Sequence, residues 1–213
     1  RITEPGGDAV RAVYASHLRQ PEYAHLTRDP RLVVPAQRLI GGDLYLYQFK
    51  INAKPAFGGD GWAWHQDYIA WKIADGIPGP RLVNFVLFLD GVDEFNGPIV
   101  FVPGSHRDGM LRRERSTTHR SDQHLDPDDI SLTPAEMRGL IERHCMRSPK
   151  GGPGTVVAFH PEIVHGSAAN MSPFPRRVAI LTYNDVRNTP RGTPRPEYLV
   201  CRDTRPLRVP EMA

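Results

Sequence analysis

Five short runs of β-forming residues, punctuated by Gly, Pro and Asn, constrain this chain more than any other feature. They are LYLYQFKIN (44–52), LVNFVLFLD (82–90), IVFV (99–102), TVVAF (155–159) and RVAILTYN (177–184). Short strands bounded by such turn signals argue for a double-sheet β architecture, with the β core over about 44–186. Ahead of them, residues 8–20 and 22–40 place apolar side chains at roughly helical spacing, interrupted by Pro30 and Pro35 and stopped by Gly41 and Gly42. That pattern predicts two or three short helices over 8–40. A polar, charged stretch over 107–152, with RRERSTTHRSDQHLDPDD at its centre, has the profile of a mobile lid or insert. Within it TPAEMRGLIERHC (133–145) reads as a helix, with Thr133 as N-cap, Pro134 at the first position and Glu136 closing a capping box.

The 213 residues suit one domain, 1–213, large enough to bury a core, and 39% hydrophobic against 24% charged residues excludes a disordered chain. A net charge of +3 invites an anionic partner, but 27 Lys and Arg are offset by 24 Asp and Glu, so we expect no nucleic-acid partner. Cys145 and Cys201 lack metal or disulfide spacing and read as free thiols. No apolar run approaches a membrane span and no signal-peptide pattern opens the chain, so the expectation is a cytoplasmic monomer or homodimer acting on a small molecule.

The chemistry lies in WAWHQDYIAW (62–71). With nine histidines, one H-x-D pair is weak evidence, but on a strand His65 and Asp67 would share a face and converge on one ion. One more histidine completes the two-histidine, one-carboxylate face that suits iron(II) and leaves positions open for co-substrate and oxygen. His165, in PEIVHGSAAN, is favoured over His160, five residues earlier at the end of a strand run. His106 follows a Pro-Gly-Ser turn and reads as structural, and the remaining histidines as solvated or capping groups. Arg176, eleven residues after His165, offers a fork of donors to a dicarboxylate, while Arg177 should face the other side of the same strand.

Together, WHQD, NGPIVFVPGSHR, PGTVVAFHPEIVHGS and the arginine eleven residues on resemble the phytanoyl-CoA dioxygenase family of iron(II)- and 2-oxoglutarate-dependent oxygenases. The likeness runs from about residue 10 to 188. QFKINAKP, WHQDYIAWKIADGIP and TYNDV are similar to its ectoine hydroxylase branch. The resemblance implies a mainly β fold with flanking helices, a double-stranded β-helix core of the jelly-roll or cupin kind. It also implies iron(II), 2-oxoglutarate and dioxygen as cofactor and co-substrates. His65, Asp67 and His165 would ligate iron, Arg176 would take the distal carboxylate of 2-oxoglutarate, and Asn52, Ser167, Trp62 and Asn84 would lie near it. Trp62 stands where the branch has Phe, and Asn84 where it has Ser. Gln48, Trp71 and Phe159 match substrate-contacting positions. Val178 and Ile180 replace an asparagine and an aromatic that contact ectoine in the branch, so we expect the same chemistry on another substrate.

An intact Asp67 favours hydroxylation over halogenation, which needs that coordination position open. Desaturation, epimerisation or ring formation would use the same triad. A cupin-like metal enzyme without 2-oxoglutarate, or a binding module that keeps the fold, are the readings from other classes. The expected substrate is a small polar metabolite, a free amino acid or its derivative in a biosynthetic pathway, because Gln48 and Trp71 suit a compact, partly charged ligand. Arg187, Arg191, Arg195, Arg202 and Arg205 are candidates for a carboxylate clamp.

Overall fold

The longest β run pairs along its whole length with the last one, and these two strands form the spine of the larger sheet. A computed structural model of the protein describes residues 1–4, 6–111, 130–192 and 195–208. In chain order the elements are β1 (Ile2–Thr3), β2 (Val10–Tyr14), α1 (Pro21–Leu26), α2 (Pro30–Ile40), β3 (Leu44–Lys54), β4 (Trp62–His65) and α3 (Asp67–Asp75). They continue with β5 (Leu82–Phe88), β6 (Ile99–Phe101), α4 (Pro134–Arg143), β7 (Val156–Phe159), β8 (His165–Ser167) and β9 (Arg176–Asp185). A six-stranded sheet in the order β1-β2-β3-β9-β5-β7 faces a three-stranded sheet in the order β4-β8-β6. Every pairing is antiparallel, the arrangement of a double-stranded β-helix.

The expectation of helix over 8–20 is corrected. Residues 10–14 form a strand between β1 and β3, with Ala12 opposite Asn52 and Tyr14 opposite Lys50, followed by a single 3-10 turn over Ser16–Leu18. Five residues, VRAVY, carry too little periodicity to separate strand from helix, and pairing with β3 decides the matter. The segment 22–40 does form helices, but the two prolines act differently from expected. Pro30 is the first residue of α2, capped by the Asp29 carboxylate accepting from Arg31 N at 2.8 Å. Pro35 sits inside α2 on its exposed face, where the carbonyl it leaves unpaired can reach water, and the helix continues to Gly41 in the left-handed region. The α4 capping box forms as expected. Residues 112–129, the centre of the expected lid, lie outside the described residues.

Alternation along β3 and β9 sends two sets of side chains to opposite faces. Leu44, Leu46, Phe49, Ala179, Leu181 and Tyr183 pack against Leu32, Val33 and Ala36 of α2. The other face turns Gln48, Lys50 and Asn52 toward the small sheet. An irregularity between Leu46 and Gln48 makes this possible: Tyr47 is the extra residue, so leucines 44 and 46 share a face with Phe49 despite the change of parity. Among the described residues no helix is long and apolar enough to cross a membrane.

Candidate active site

β4 and β8 bring the two candidate histidines together directly, since His65 and His165 are register partners with ring centroids 4.3 Å apart. Asp67 arrives by a route that the H-x-D pattern does not reveal. The strand ends at His65, and Asp67 is the first residue of α3, so a strand-to-helix corner makes the two side chains converge, not strand alternation. His65 Nε2 lies 3.5 Å from Asp67 Oδ1 and His165 Nε2 lies 3.7 Å from Asp67 Oδ2. Potential ligand atoms of all three residues fall within 4.8 Å of one another.

Each ring is oriented from behind. His65 Nδ1 is 2.7 Å from Ala63 O and His165 Nδ1 is 3.0 Å from Ile163 O. A carbonyl can only accept, so each Nδ1 carries a proton and each Nε2 is the ring nitrogen directed into the cluster. Burial, reinforced by the facing His65 and opposed by Asp67, lowers the His165 pKa to about 4, which keeps the ring neutral and able to ligate near pH 7. Burial alone would raise the Asp67 pKa, but His165, His65 and Lys50 outweigh it and hold the carboxyl below its ordinary range.

The carboxylate is also held. Asn84 Nδ2 donates to Asp67 Oδ2 at 2.9 Å, and Thr182 Oγ donates to Asn84 Oδ1 at 2.6 Å. Asn84 therefore touches a candidate ligand in place of the expected co-substrate contact. Gln66, between His65 and Asp67 in sequence, points the other way and is fully buried. It donates to Gly109 O and Glu162 O and accepts from Leu111 N, stapling the corner to two loops.

On one side of the triad a cavity is lined by Asn52, Trp62, Ile99, Phe159, Ser167, Arg176 and Ile180. Arg176 is 2% exposed, and its Nη2 donates to Gly97 O at 2.7 Å. Its Nε, Asn52 Oδ1 and Ser167 Oγ are buried without hydrogen-bond partners, three polar atoms on one cavity wall. A guanidinium desolvated this far is costly unless an anion meets it. Burial lowers its pKa to about 10, with Asp90 opposing. Lys54, its register partner, carries no mark in the sequence and adds a second buried cation at this end, its Nζ donating to Asp60 O and Ala168 O, each at 2.6 Å. Arg177 faces outward and pairs with Asp90 at 2.6 Å, as alternation requires.

On the other side a second cavity shares Lys50, Trp62, His65 and Asp67 and adds Tyr14, Gln48, Ala70, Trp71, Ile130 and Arg195. Of the five C-terminal arginines, Arg195 alone lines it. Arg187 pairs with Asp185 and Arg205 with Asp203. Arg195 is fixed by Asp75, its Nε and Nη2 donating to the two carboxylate oxygens at 3.0 and 2.8 Å, while the Tyr47 hydroxyl donates to the same carboxylate. Val178 lines neither cavity; it packs with Val86, Phe88 and Phe101. Phe159, expected against substrate, stands instead on the Arg176 side, 5.0 Å from the His165 ring. His160 stays outside the cluster, its Nδ1 accepting from Glu162 N and its ring against His106.

Two imidazoles and a carboxylate on one face suit iron(II), and a cavity lined by a buried arginine with no ion-pair partner among the described residues suits a dicarboxylate. The fold and this site define an iron(II)- and 2-oxoglutarate-dependent dioxygenase. The profile of the family described as "Phytanoyl-CoA dioxygenase (PhyH)" matches residues 1–178, and the chain belongs to that family. It is 41% identical over 211 residues to the L-proline trans-4-hydroxylase of Streptomyces griseoviridis, covering 97% of this chain and 79% of that one. EctD from S. alaskensis superposes with a TM-score of 0.81 when bound to iron, at 33% identity over 98% of this chain and 70% of that chain. Its form with 2-oxoglutarate and 5-hydroxyectoine superposes at 0.80, with 32% identity, 94% and 67%.

Proposed function

We propose that the protein hydroxylates a small free α-amino acid, with L-proline as the first candidate, using His65, Asp67 and His165 to hold iron(II) and Arg176 to anchor 2-oxoglutarate. The observation that carries this reading is the pair of unpartnered buried donors, Arg176 Nε and Ser167 Oγ, on residues that line the cavity beside the triad. Bound iron would couple oxidative decarboxylation of 2-oxoglutarate to activation of dioxygen for insertion into a C–H bond.

The residues of the chain do the positioning. Arg176, with Lys54 beside it, receives the distal carboxylate, and Ser167 donates its hydroxyl proton to the same end. Asn84 and Thr182 hold Asp67 in one orientation, while Trp62 forms a wall shared by both cavities. Trp71, 4% exposed and edge-on to Tyr47, closes the substrate side and helps exclude water. Support for an amino acid substrate comes from the size and polarity of the second cavity and from the proline hydroxylase relative, which is more similar than the ectoine dioxygenases at 31–36% identity.

Incubation with iron(II), ascorbate, 2-oxoglutarate and a panel of free amino acids, ectoine and related metabolites tests the reading. We expect a product about 16 mass units heavier, one inserted oxygen, formed from L-proline or another small amino acid in step with succinate. Oxidation of ectoine alone would refute the amino acid assignment.

A further inference from the structure

Lys50 is a charged lining residue that neither the motif nor the family likeness singles out. It lies on the inward face of β3, on the rung opposite Ile180 and between Gln48 and Asn52, and it lines the cavity on both sides of the triad. Its charge is felt by both Asp67 and His165. The ammonium makes no hydrogen bond or ion pair with any described residue. The other charged groups of the substrate cavity are already engaged: Arg195 is neutralised by Asp75, and the proposed function commits the Asp67 carboxylate to iron. Lys50 is therefore the uncompensated positive charge among the described residues of that cavity, at the edge nearest the reacting centre.

Its neighbour on the same face has one defined orientation. Gln48 Nε2 donates to Leu199 O at 2.8 Å, and because a carbonyl only accepts, the amide cannot be flipped. The Oε1 of Gln48 is left without a partner on the cavity side. Residues two apart on a strand are roughly 7 Å apart, a span that an α-amino acid bridges with one hydrogen bond at each end.

Resting on the amino acid reading above, we propose that Lys50 Nζ binds the substrate carboxylate and Gln48 Oε1 accepts the substrate N–H, so that this pair on β3 recognises a zwitterion and fixes which end of it points along the strand. The enzyme then takes free amino acids and rejects their carboxamides and alcohols, which offer Lys50 no charge.

The test compares L-proline with L-prolinamide in the wild type, Lys50→Gln and Lys50→Arg, by kcat/KM and by calorimetric binding to the anaerobic iron- and 2-oxoglutarate-loaded enzyme. A charge-assisted hydrogen bond is worth about 10-fold to 100-fold in binding. We expect the wild type to prefer the acid by about 30-fold, Lys50→Gln to lose that preference to within about 3-fold, and Lys50→Arg to recover most of it. Affinity for 2-oxoglutarate, read from absorbance of the iron complex, should change by less than about 3-fold in Lys50→Gln. A preference that survives in Lys50→Gln overturns the proposal and leaves the function standing, with Arg195 Nη1 then holding the carboxylate. An equal loss of 2-oxoglutarate affinity also overturns it, because the partner of Lys50 is then the co-substrate. Failure of the wild type to bind or oxidise L-proline or any amino acid in the panel overturns the substrate reading and this proposal together.

Discussion

Asn84→Ala separates the metal site from the scaffold that holds it. Asn84 and Thr182 are both 0% exposed and Asp67 is 8% exposed, so the two bonds between them lie in a dry interior. Truncation removes the donor to the Asp67 carboxylate, a charge-assisted bond worth about 1.5–3 kcal/mol, and leaves the Thr182 hydroxyl without its acceptor, at about 1–3 kcal/mol. With a small cavity added, we expect about 3–5 kcal/mol of lost stability in the metal-free protein. The freed Asp67 carboxylate no longer has one orientation, and metal affinity should fall about 10-fold to 100-fold. Urea unfolding gives the first quantity and calorimetric titration with cobalt(II), an oxidation-resistant substitute for iron(II), gives the second. Thr182→Val removes only the outer bond and should lower metal affinity by no more than about 3-fold. If Asn84→Ala bound metal as tightly as the wild type, the idea that Asn84 orients a metal ligand would be wrong, whatever its effect on folding.

Asp67→Ala should abolish succinate formation, measured by coupled 2-oxoglutarate turnover; undiminished turnover would remove Asp67 from the ligand set. Asp75→Ala leaves the buried Arg195 guanidinium unpaired and should destabilise the protein by about 3–5 kcal/mol in urea, whereas a change under about 1 kcal/mol would mean that Arg195 finds another partner. Lys54 has its pKa lowered to about 7 from 10.5 by burial, then by Arg176 and Arg11. Between those values the unfolded chain holds a proton that the folded chain has lost. Stability of the metal-free protein should therefore be flat in this respect below pH 7 and rise above it by up to about 1.4 kcal/mol per pH unit. Lys54→Met removes that increment, so equal pH profiles for wild type and variant, by urea unfolding at about pH 6 and about pH 9, would contradict it. Gly76 has φ +65° and a Cβ there would lie 2.0 Å from Arg191 O, so Gly76→Ala should push the C-terminal segment off α3 and lower the melting temperature by several degrees, about 1–3 kcal/mol.

The clustering of His65, Asp67 and His165 is legible in the sequence because few residue types ligate iron, and because His165 follows a strand-like run and precedes a Gly-Ser turn. The corner at Gln66 is not, since nothing local marks a strand that ends at His65 and a helix that starts at Asp67. Lys50 and Lys54 escape a sequence reading for a different reason. On an alternating strand polar residues ordinarily face water, but β3 is covered on both sides, by α2 and by the small sheet, so its polar set lines a cavity. The segment 8–20 reads as helix and folds as strand because its fate depends on an edge some forty residues away. Arg195 cannot be chosen from its four neighbours by pattern, because its place comes from Asp75, 120 residues earlier.

Parity along β3 and β9 divides labour in a way that bears on how such enzymes change substrate. Phe49, Leu181 and Tyr183 secure the fold, while Gln48, Lys50 and Ile180, one step away on the same strands, face the ligand spaces. Mutations at the second set can explore new substrates at little cost to the packing against α2. One pair of strands can thus serve as a durable chassis with exchangeable fittings, and a library confined to positions 48 and 50, both on the substrate cavity, would sample new specificities while leaving the packing against α2 in place.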